Sequence, residues 1–272
     1  MRTIIRAGAV LAVTALTVVG LSGCGSSTPT TSASGAGTGK TYIIASDNSF
    51  APFEYLDPTT NSYVGVDMDL MAAIAKDQGF SYKMNNVGFD AAMGAVQSGQ
   101  ADGMISGMNI TPERQQTFDF STGYFQDGQV MVVAQGSPIT SISDLQGKTV
   151  AIKASTQGAT YAQSVASQYG FTTQTYKDSP TMYTAVANGQ NAACFEDYAV
   201  IAYAIKQGTV KLQTVGDQVQ VGQYGFAVKK GTNADLMTMF NKGLADLQAN
   251  GQYDQILSKY GLTNAASATP SA

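Results

Sequence analysis

The chain has no histidine and no tryptophan, only two cysteines and seven prolines, and charged residues make up just 12% of its 272 positions. Without histidine there can be no Ser-His-Asp triad, no Cys-His pair and no His-ligated zinc or iron site, so the commonest hydrolase mechanisms are excluded. Nineteen acids outweigh fifteen bases for a formal charge of -4, and no lysine or arginine cluster interrupts the sequence. A nucleic-acid partner is not expected, because neutralising phosphates needs a basic surface. What is present is a 44% hydrophobic complement and a length suited to one large domain or two ordinary ones, which excludes collagen, coiled coil and wholesale disorder.

Residues 1–24 run from a basic start with Arg2 and Arg6, through an apolar stretch at 7–19, to Leu21-Ser22-Gly23-Cys24. That stretch is shorter than the ~20 residues of a membrane-spanning helix and fits a secretory signal. The Leu-Ser-Gly-Cys ending resembles the lipobox of bacterial lipoproteins, which implies removal of a 1–23 signal peptide and lipidation of Cys24. The alternative is a plain signal peptide with an incidental cysteine. Residues 25–39 contain only Gly, Ser, Thr, Ala and Pro. They bury too little apolar surface to offset their ordering entropy, so 24–39 reads as a lipidated, flexible tether and 263–272 as a disordered tail. With Cys24 lipidated, Cys194 is alone and no intramolecular disulfide is expected. Its neighbours Ala193 and Phe195 make it a small buried hydrophobe.

From Lys40 onward, short β-type runs alternate with helical ones. Strands are predicted at 41–45, 80–84, 101–105, 130–134, 149–153, 171–176, 192–195 and 224–228. Helices are predicted at 67–78, 90–97, 158–169, 181–187, 198–206, 235–249 and 253–259. This alternation indicates an α/β fold with mostly parallel strands. Leu236, Phe240, Leu244 and Leu247 recur at helical spacing and read as a core-facing stripe.

An internal repeat adds organisation. Ala95-Val96-Gln97-Ser98-Gly99-Gln100 and the apolar run after it align with Ala185-Val186-Ala187-Asn188-Gly189-Gln190 and its own following run. Each copy reads as a helix end, a glycine stop, a short strand and then polar residues past the strand's C-terminal end, where open α/β sheets bind ligands. Two such units imply two similar lobes facing one another across a cleft.

The densest polar cluster is Ser106-Gly107-Met108-Asn109-Ile110-Thr111-Pro112-Glu113-Arg114. Thr111 and Pro112 suit a helix N-cap and first turn, placing Arg114 in a short helix beginning there. A cation opposes the helix dipole at that position, whereas a guanidinium fork suits a carboxylate in a neighbouring cleft. A solvated surface arginine is the competing reading.

The run from Asn109 to Tyr124, NITPERQQTFDFSTGY, resembles the "ITPER…FSxPY" segment of the family 3 solute-binding proteins, the polar amino acid receptors of bacterial ABC importers. The loop DNSFAPFE at 47–54, the helix start VGVDMDL at 64–70 and the turn NGQY at 250–253 are similar to that family's segments in the same order. The resemblance implies a two-lobed periplasmic-binding-protein-like fold of type II with two crossover hinge strands near 127–132 and 219–222. Lobe 1 would combine 40–126 with 221–262, and lobe 2 would be 127–220. It also implies an amino acid ligand, an ABC transporter permease as partner, a monomer held to the membrane by its lipid anchor alone, no enzymatic activity, and no cofactor or metal.

A closed site must pair both the carboxylate and the ammonium of an amino acid. By resemblance, Arg114 clamps the carboxylate together with backbone N–H groups of Ser155, Thr156 and Gln157 at a helix N-terminus. Asp197 takes the ammonium, and Ser106, Gly107 and Asn109 line the first lobe. Phe50 and Phe89 sandwich the ligand, with core packing as their alternative role. Asp47, Lys153 and Glu196 face its distal end with one surplus negative charge, which favours a basic side chain or glutamine over an acidic one. Lys153 paired with either acid could reverse that preference. Two other readings use the same fold: an exported cyclohexadienyl dehydratase with Glu196 or Asp47 as general acid, and a ligand-sensing module.

Overall fold

A computed structural model of the chain describes residues 39–263. Cys24, the signal-peptide and tether segments before residue 39 and the tail after residue 263 lie outside the described residues.

The chain runs β1 (Thr41–Ser46), β2 (Ser49–Phe50), β3 (Glu54–Asp57), β4 (Ser62–Val64), α1 (Val66–Gln78), β5 (Ser81–Asn86), α2 (Phe89–Ser98), β6 (Gly103–Met104) and β7 (Phe118–Phe120). It continues through β8 (Phe125–Ala134), β9 (Thr149–Lys153), α3 (Gln157–Tyr169), β10 (Thr172–Tyr176), α4 (Ser179–Ala187), β11 (Ala193–Asp197) and α5 (Tyr198–Lys206). It ends with β12 (Leu212–Tyr224), β13 (Ala227–Lys229), α6 (Ala234–Ala249) and α7 (Gln252–Lys259).

Two five-stranded sheets, in the orders β5-β1-β6-β13-β7 and β10-β9-β11-β8-β12, organise most of these elements, and β2, β3 and β4 form a small antiparallel sheet of their own. In the first, β1 runs parallel to β5 and β6, and β13 is antiparallel to β6 and β7. The second repeats the plan, with β9 parallel to β10 and β11, and β8 antiparallel to β11 and β12. In each of these two sheets four strands run the same way and one, β13 or β8, runs against them, so the strands are mostly parallel as expected. Each lobe has a parallel core closed by chain segments that return from the other lobe, and those segments arrive antiparallel.

The chain crosses between lobes twice, from β7 into β8 and from β12 into β13. β8 and β12 pair antiparallel, with irregularities between Val215 and Val219 and between Val219 and Gly222. Expecting a strand at 224–228 missed most of β12, whose sequence LQTVGDQVQVGQY is largely exposed and carries no apolar run. Burial, not propensity, makes strands legible, and this one is mostly polar and only partly buried against β8.

Helices cover both faces of each sheet. In the first lobe one apolar layer joins α1, α6 and α7 to β1, and another joins α2 to β6 and β7. The stripe of Leu236, Phe240, Leu244 and Leu247 is buried as expected. In the second lobe α3 covers one face and α4 with α5 the other. Cys194 is fully buried in that last layer.

The repeat is a structural one. Gly99 and Gly189 adopt left-handed φ values of 79° and 73°. Each donates its N–H back into the preceding helix, Gly99 to Val96 and Gly189 to Val186. Residues 100 and 101 bond to the Ala95 carbonyl as 190 and 191 bond to that of Ala185. Both turns deliver a strand, β6 or β11, to the centre of its sheet.

Candidate functional site

The C-terminal ends of the parallel strands face one another across the cleft. Asp47 follows β1 and Ser106 follows β6, while Lys153 ends β9 and Asp197 ends β11.

Lys153 Nζ reaches across from the second lobe to Asp47 Oδ2 at 2.5 Å, with both side chains only 2% exposed. Burial pulls the Lys153 pKa down, but Asp47 and then Glu196 outweigh it and leave it raised. The Nζ stands 4.7 Å from the Phe50 ring centre and 5.8 Å from that of Phe89, so both rings face cleft cations as well as the core. The pairing left open for Lys153 falls on Asp47. Glu196 instead accepts from Ser179 Oγ at 3.0 Å, Tyr183 OH at 2.8 Å and the Asp197 N–H at 3.0 Å. Burial, and then the neighbouring Asp197, push its pKa up to about 7.

Thr111 caps the turn carrying Arg114, its Oγ1 accepting the Arg114 N–H at 3.2 Å. The expected short helix is a three-residue 3-10 turn, Arg114–Gln116. The guanidinium donates to the Asn109 carbonyl at 3.0 Å and across the cleft to the Ser155 carbonyl at 2.9 Å. Its carbon lies 5.4 Å from the Phe89 ring centre. Burial lowers its pKa to about 10, which leaves it cationic at neutral pH. Ser155 holds a left-handed φ of 62°, a costly conformation for a residue with a side chain, and its Oγ bonds Asp90 across the cleft at 2.5 Å. Thr156 Oγ1 caps α3 by accepting from Ala159 N–H at 3.2 Å. Gln157 Nε2 reaches the Gln220 carbonyl at 3.1 Å. The first N–H groups of α3 have no intrahelical partner and make an anion-favouring end.

Asp197 sits immediately before α5, where an aspartate ordinarily caps the helix, yet its side chain makes no capping bond. Asp127 on β8 takes that task, accepting the Ala199 N–H at 2.9 Å. Asp197 Oδ1 instead accepts the Tyr224 hydroxyl at 2.6 Å. Burial, and then Asp127, raise the Asp197 pKa to about 6, and burial does the same for Asp127. Gln129 lies opposite Asp197 in the β8–β11 register and is fully buried. A side chain at Gly158 would meet its Oε1 at 2.7 Å. Asp127, Gln129 and Tyr224 were not among the expected site residues; all three lie on the crossover strands, where a polar residue in a strand pattern carries no functional signal.

Several buried polar atoms around this cleft have no protein partner: Asn109 Nδ2, both amide atoms of Gln129 and Gln157 Oε1. Native structures leave few such atoms unpaired, and those that remain mark sites that bind polar ligands or water. Ser106 and Gly107 lie just beneath. Ser106 Oγ accepts the Asp47 N–H at 2.9 Å, and the Gly107 N–H donates to Asp67 at 2.8 Å. Gly107 has φ 51°, and a Cβ there would meet the Phe50 ring at 2.6 Å. A separate cavity of about 830 Å³, lined by Tyr198, Lys206, Val221 and Tyr260 among others, contains none of the expected site residues.

Bacterial extracellular solute-binding proteins, family 3, match residues 42–263. The chain belongs to this family. A probable histidine-binding protein of Neisseria gonorrhoeae is 32% identical over 255 residues, covering 92% of this chain and 94% of that one. Substrate binding domain 2 of Lactococcus lactis GlnP, in an open conformation, is 48% identical with a TM-score of 0.58, covering 81% of this chain and 94% of its own. An ancestral arginine-binding protein bound to arginine is 33% identical with a TM-score of 0.75, covering 81% and 98%. In this family 3 protein, side-chain bonds from Lys153, Arg114 and Ser155 join residues of the two sheets' strand ends and turns. These relatives are binding proteins rather than enzymes, and among the described residues no helix is long and apolar enough to cross a membrane.

Proposed function

We propose that this protein captures a polar amino acid outside the cytoplasmic membrane and delivers it to the permease of an ABC importer, as a monomer held there by a lipid on Cys24. Lobe 1 is taken as 40–126 with 221–262 and lobe 2 as 127–220, hinged where β8 and β12 leave the second sheet. The reading is supported by one observation: Arg114 of one lobe donates to the Ser155 carbonyl just before the α3 N-terminus of the other, within electrostatic reach of Asp197. A zwitterion needs that arrangement, since each of its charges must find a partner once water is excluded. Arg114 and the α3 N–H groups take the carboxylate, and Asp197, with the Asn109 side chain and Gln129, takes the ammonium. Only the closed state contacts the ligand from both sides, so binding shifts the lobes toward closure.

Within the expected choice of a basic amino acid or glutamine, the distal subsite favours glutamine. Asp47 and Lys153 set an acceptor beside a donor, the complement of a carboxamide, whose oxygen takes Lys153 and whose NH2 gives to Asp47. A cationic side chain would have to displace Lys153 from Asp47, and with Glu196 near half-protonation at neutral pH the subsite carries little surplus charge to reward that. Basic ligands are the second reading, favoured by the buried Glu196 and by the histidine and arginine named for relatives.

Calorimetric titration of refolded protein against the twenty amino acids, ornithine and citrulline tests this. Glutamine binding at micromolar affinity or better, about -8 kcal/mol, and lost in Arg114→Ala, is the expected result. Preference for arginine or lysine would replace the amide reading with the basic one, and silence from folded protein would end the amino-acid reading.

A further inference from the structure

Beneath the cleft, on the first lobe, two acids lie against each other. Glu54 opens β3 and Asp67 sits in the first turn of α1, and neither is exposed to solvent. Their outward oxygens are well supplied. Glu54 Oε1 accepts from Ser106 Oγ at 2.8 Å, and Asp67 Oδ2 accepts from the Gly107 N–H at 2.8 Å and the Tyr124 hydroxyl at 3.0 Å. The other two oxygens, Glu54 Oε2 and Asp67 Oδ1, have no donor, and the backbone sets the two residues side by side, the Asp67 N–H bonding the Phe53 carbonyl at 3.0 Å.

An ionised carboxylate can only accept. Two carboxylates in contact in a dry interior repel, and each leaves an orphan oxygen. One proton between them removes both faults. The buried cation Lys153 is committed to Asp47.

We propose that Glu54 is a neutral carboxylic acid that donates its proton to Asp67, and that this dyad positions Asp47, Ser106 and Gly107 to meet the ligand. Every donor then points one way. Glu54, Tyr124 and Gly107 give to Asp67, Ser106 gives to Glu54, and the Asp47 N–H gives to Ser106 Oγ. The groups facing Glu54 are Asp67 from α1, Asp47 beyond β1, Tyr124 before β8, Lys153 from β9 and the Ser106 hydroxyl. Burial, and then the charges of Asp67 and Asp47, push the Glu54 pKa well above the ordinary carboxylate range, while burial raises Asp67 to about 6. Glu54 and Asp67 are positioning residues and touch no ligand. The positioning half of the inference rests on the amino-acid reading above, whereas the shared proton does not.

The chain contains only three glutamates, Glu54, Glu113 and Glu196. Selective 13C labelling of the glutamate side-chain carboxyl carbon therefore gives three signals, of which Glu54→Gln identifies one. That signal is expected at the carboxylic-acid position from pH 5 to 8, while the Glu196 signal moves near pH 7. A Glu54 signal at the carboxylate position at pH 7 overturns the shared proton. Glutamine at 54 can still donate to Asp67 and accept from Ser106, so Glu54→Gln should hold amino-acid affinity within about threefold, whereas Glu54→Ala should lose about thirtyfold or more or fail to fold. A folded Glu54→Gln weakened more than about tenfold, or a folded Glu54→Ala with full affinity, overturns the positioning role. Wild-type protein that binds no amino acid would sink the functional reading and leave the carboxyl signal to decide the proton.

Discussion

The two copies of the helix–glycine–strand unit share a backbone and differ in what they carry. Both close their helix with the same hydrogen bonds around a left-handed glycine and both send a strand to the centre of a sheet. The first copy ends at Ser106, a neutral hydroxyl turned down toward Glu54. The second ends at Glu196 and Asp197, buried acids with raised pKa values. The repeated turn thus supplies an address, the strand end at the cleft, and the residue placed there supplies the chemistry. Unequal addresses suit an unsymmetrical ligand, since the cation Arg114 comes from the first lobe and the anion Asp197 from the second.

The strongest test of this asymmetry is the contact that joins the lobes. Replacing Lys153 with methionine leaves Asp47 buried without its cation, a change worth about 3–5 kcal/mol when a buried pair is broken. Asp47 and Lys153 belong to different lobes, so opening the cleft rehydrates Asp47 without unfolding either one. Lys153→Met is therefore expected to expand the molecule in small-angle scattering while each lobe keeps its secondary structure by circular dichroism. Loss of the whole fold instead would mean that the pair holds the lobes internally.

Next in size is the acid end of the second copy. Asp197→Asn removes one of that address's two acids and, on the proposed reading, should cost about 2–5 kcal/mol of amino-acid affinity by calorimetry, because a desolvated ammonium loses its counter-charge. Unchanged affinity would move the ammonium to another partner, with Asp127 and Glu196 the remaining acids.

Legibility in the sequence followed the same division. The address was readable, because an apolar run beside a glycine stop has a fixed physical meaning, and the buried stripe of α6 and the boundaries of β9 and α5 were readable from helical spacing and from the alternation of runs. The chemistry was partly readable, through Arg114, Asp47, Lys153 and Asp197 on segments resembling a known family. What stayed hidden were contacts between residues far apart in the chain: Tyr224 to Asp197, Asp127 to Ala199, and Glu54 to Ser106. A polar residue in a polar strand such as β12 shows nothing of the partner that folding brings to it.

A third test uses pH. Asp197 is raised from 3.8 to about 6, so between those values the folded protein binds a proton that the unfolded chain has released. Linkage then gives the free fold stability that is present at low pH and falls as pH rises from about 4 to 6, by at most ~1.4 kcal/mol per unit for one group. Ligand affinity runs the other way. On the proposed reading an ionised Asp197 holds the ammonium, so affinity should be highest above pH 7 and weaken below about 6, by no more than ~tenfold per unit for a single proton. Calorimetry from pH 5 to 8 should show this slope in the wild type, and Asp197→Asn should flatten it. A slope that survives the substitution would assign the linkage to Asp127 or Glu196, whose pKa values are raised to about 6 and about 7.

The smallest expected effect concerns the part the two copies share. A Cβ added at Gly99 or at Gly189 would meet no atom within 4 Å, so neither substitution creates a clash. Only the left-handed φ opposes alanine, at about 1–2 kcal/mol. Gly99→Ala and Gly189→Ala should therefore lower stability by nearly equal amounts in urea unfolding, although the turns lie in different lobes and share only their hydrogen-bond pattern. Neither should alter ligand affinity, because the strand that each turn delivers is held by its sheet neighbours, β1 and β13 for β6, and β8 and β9 for β11. If Gly189→Ala weakens binding and Gly99→Ala does not, the second turn holds Glu196 and Asp197 in place through its own conformation, and address and chemistry are coupled in that copy alone.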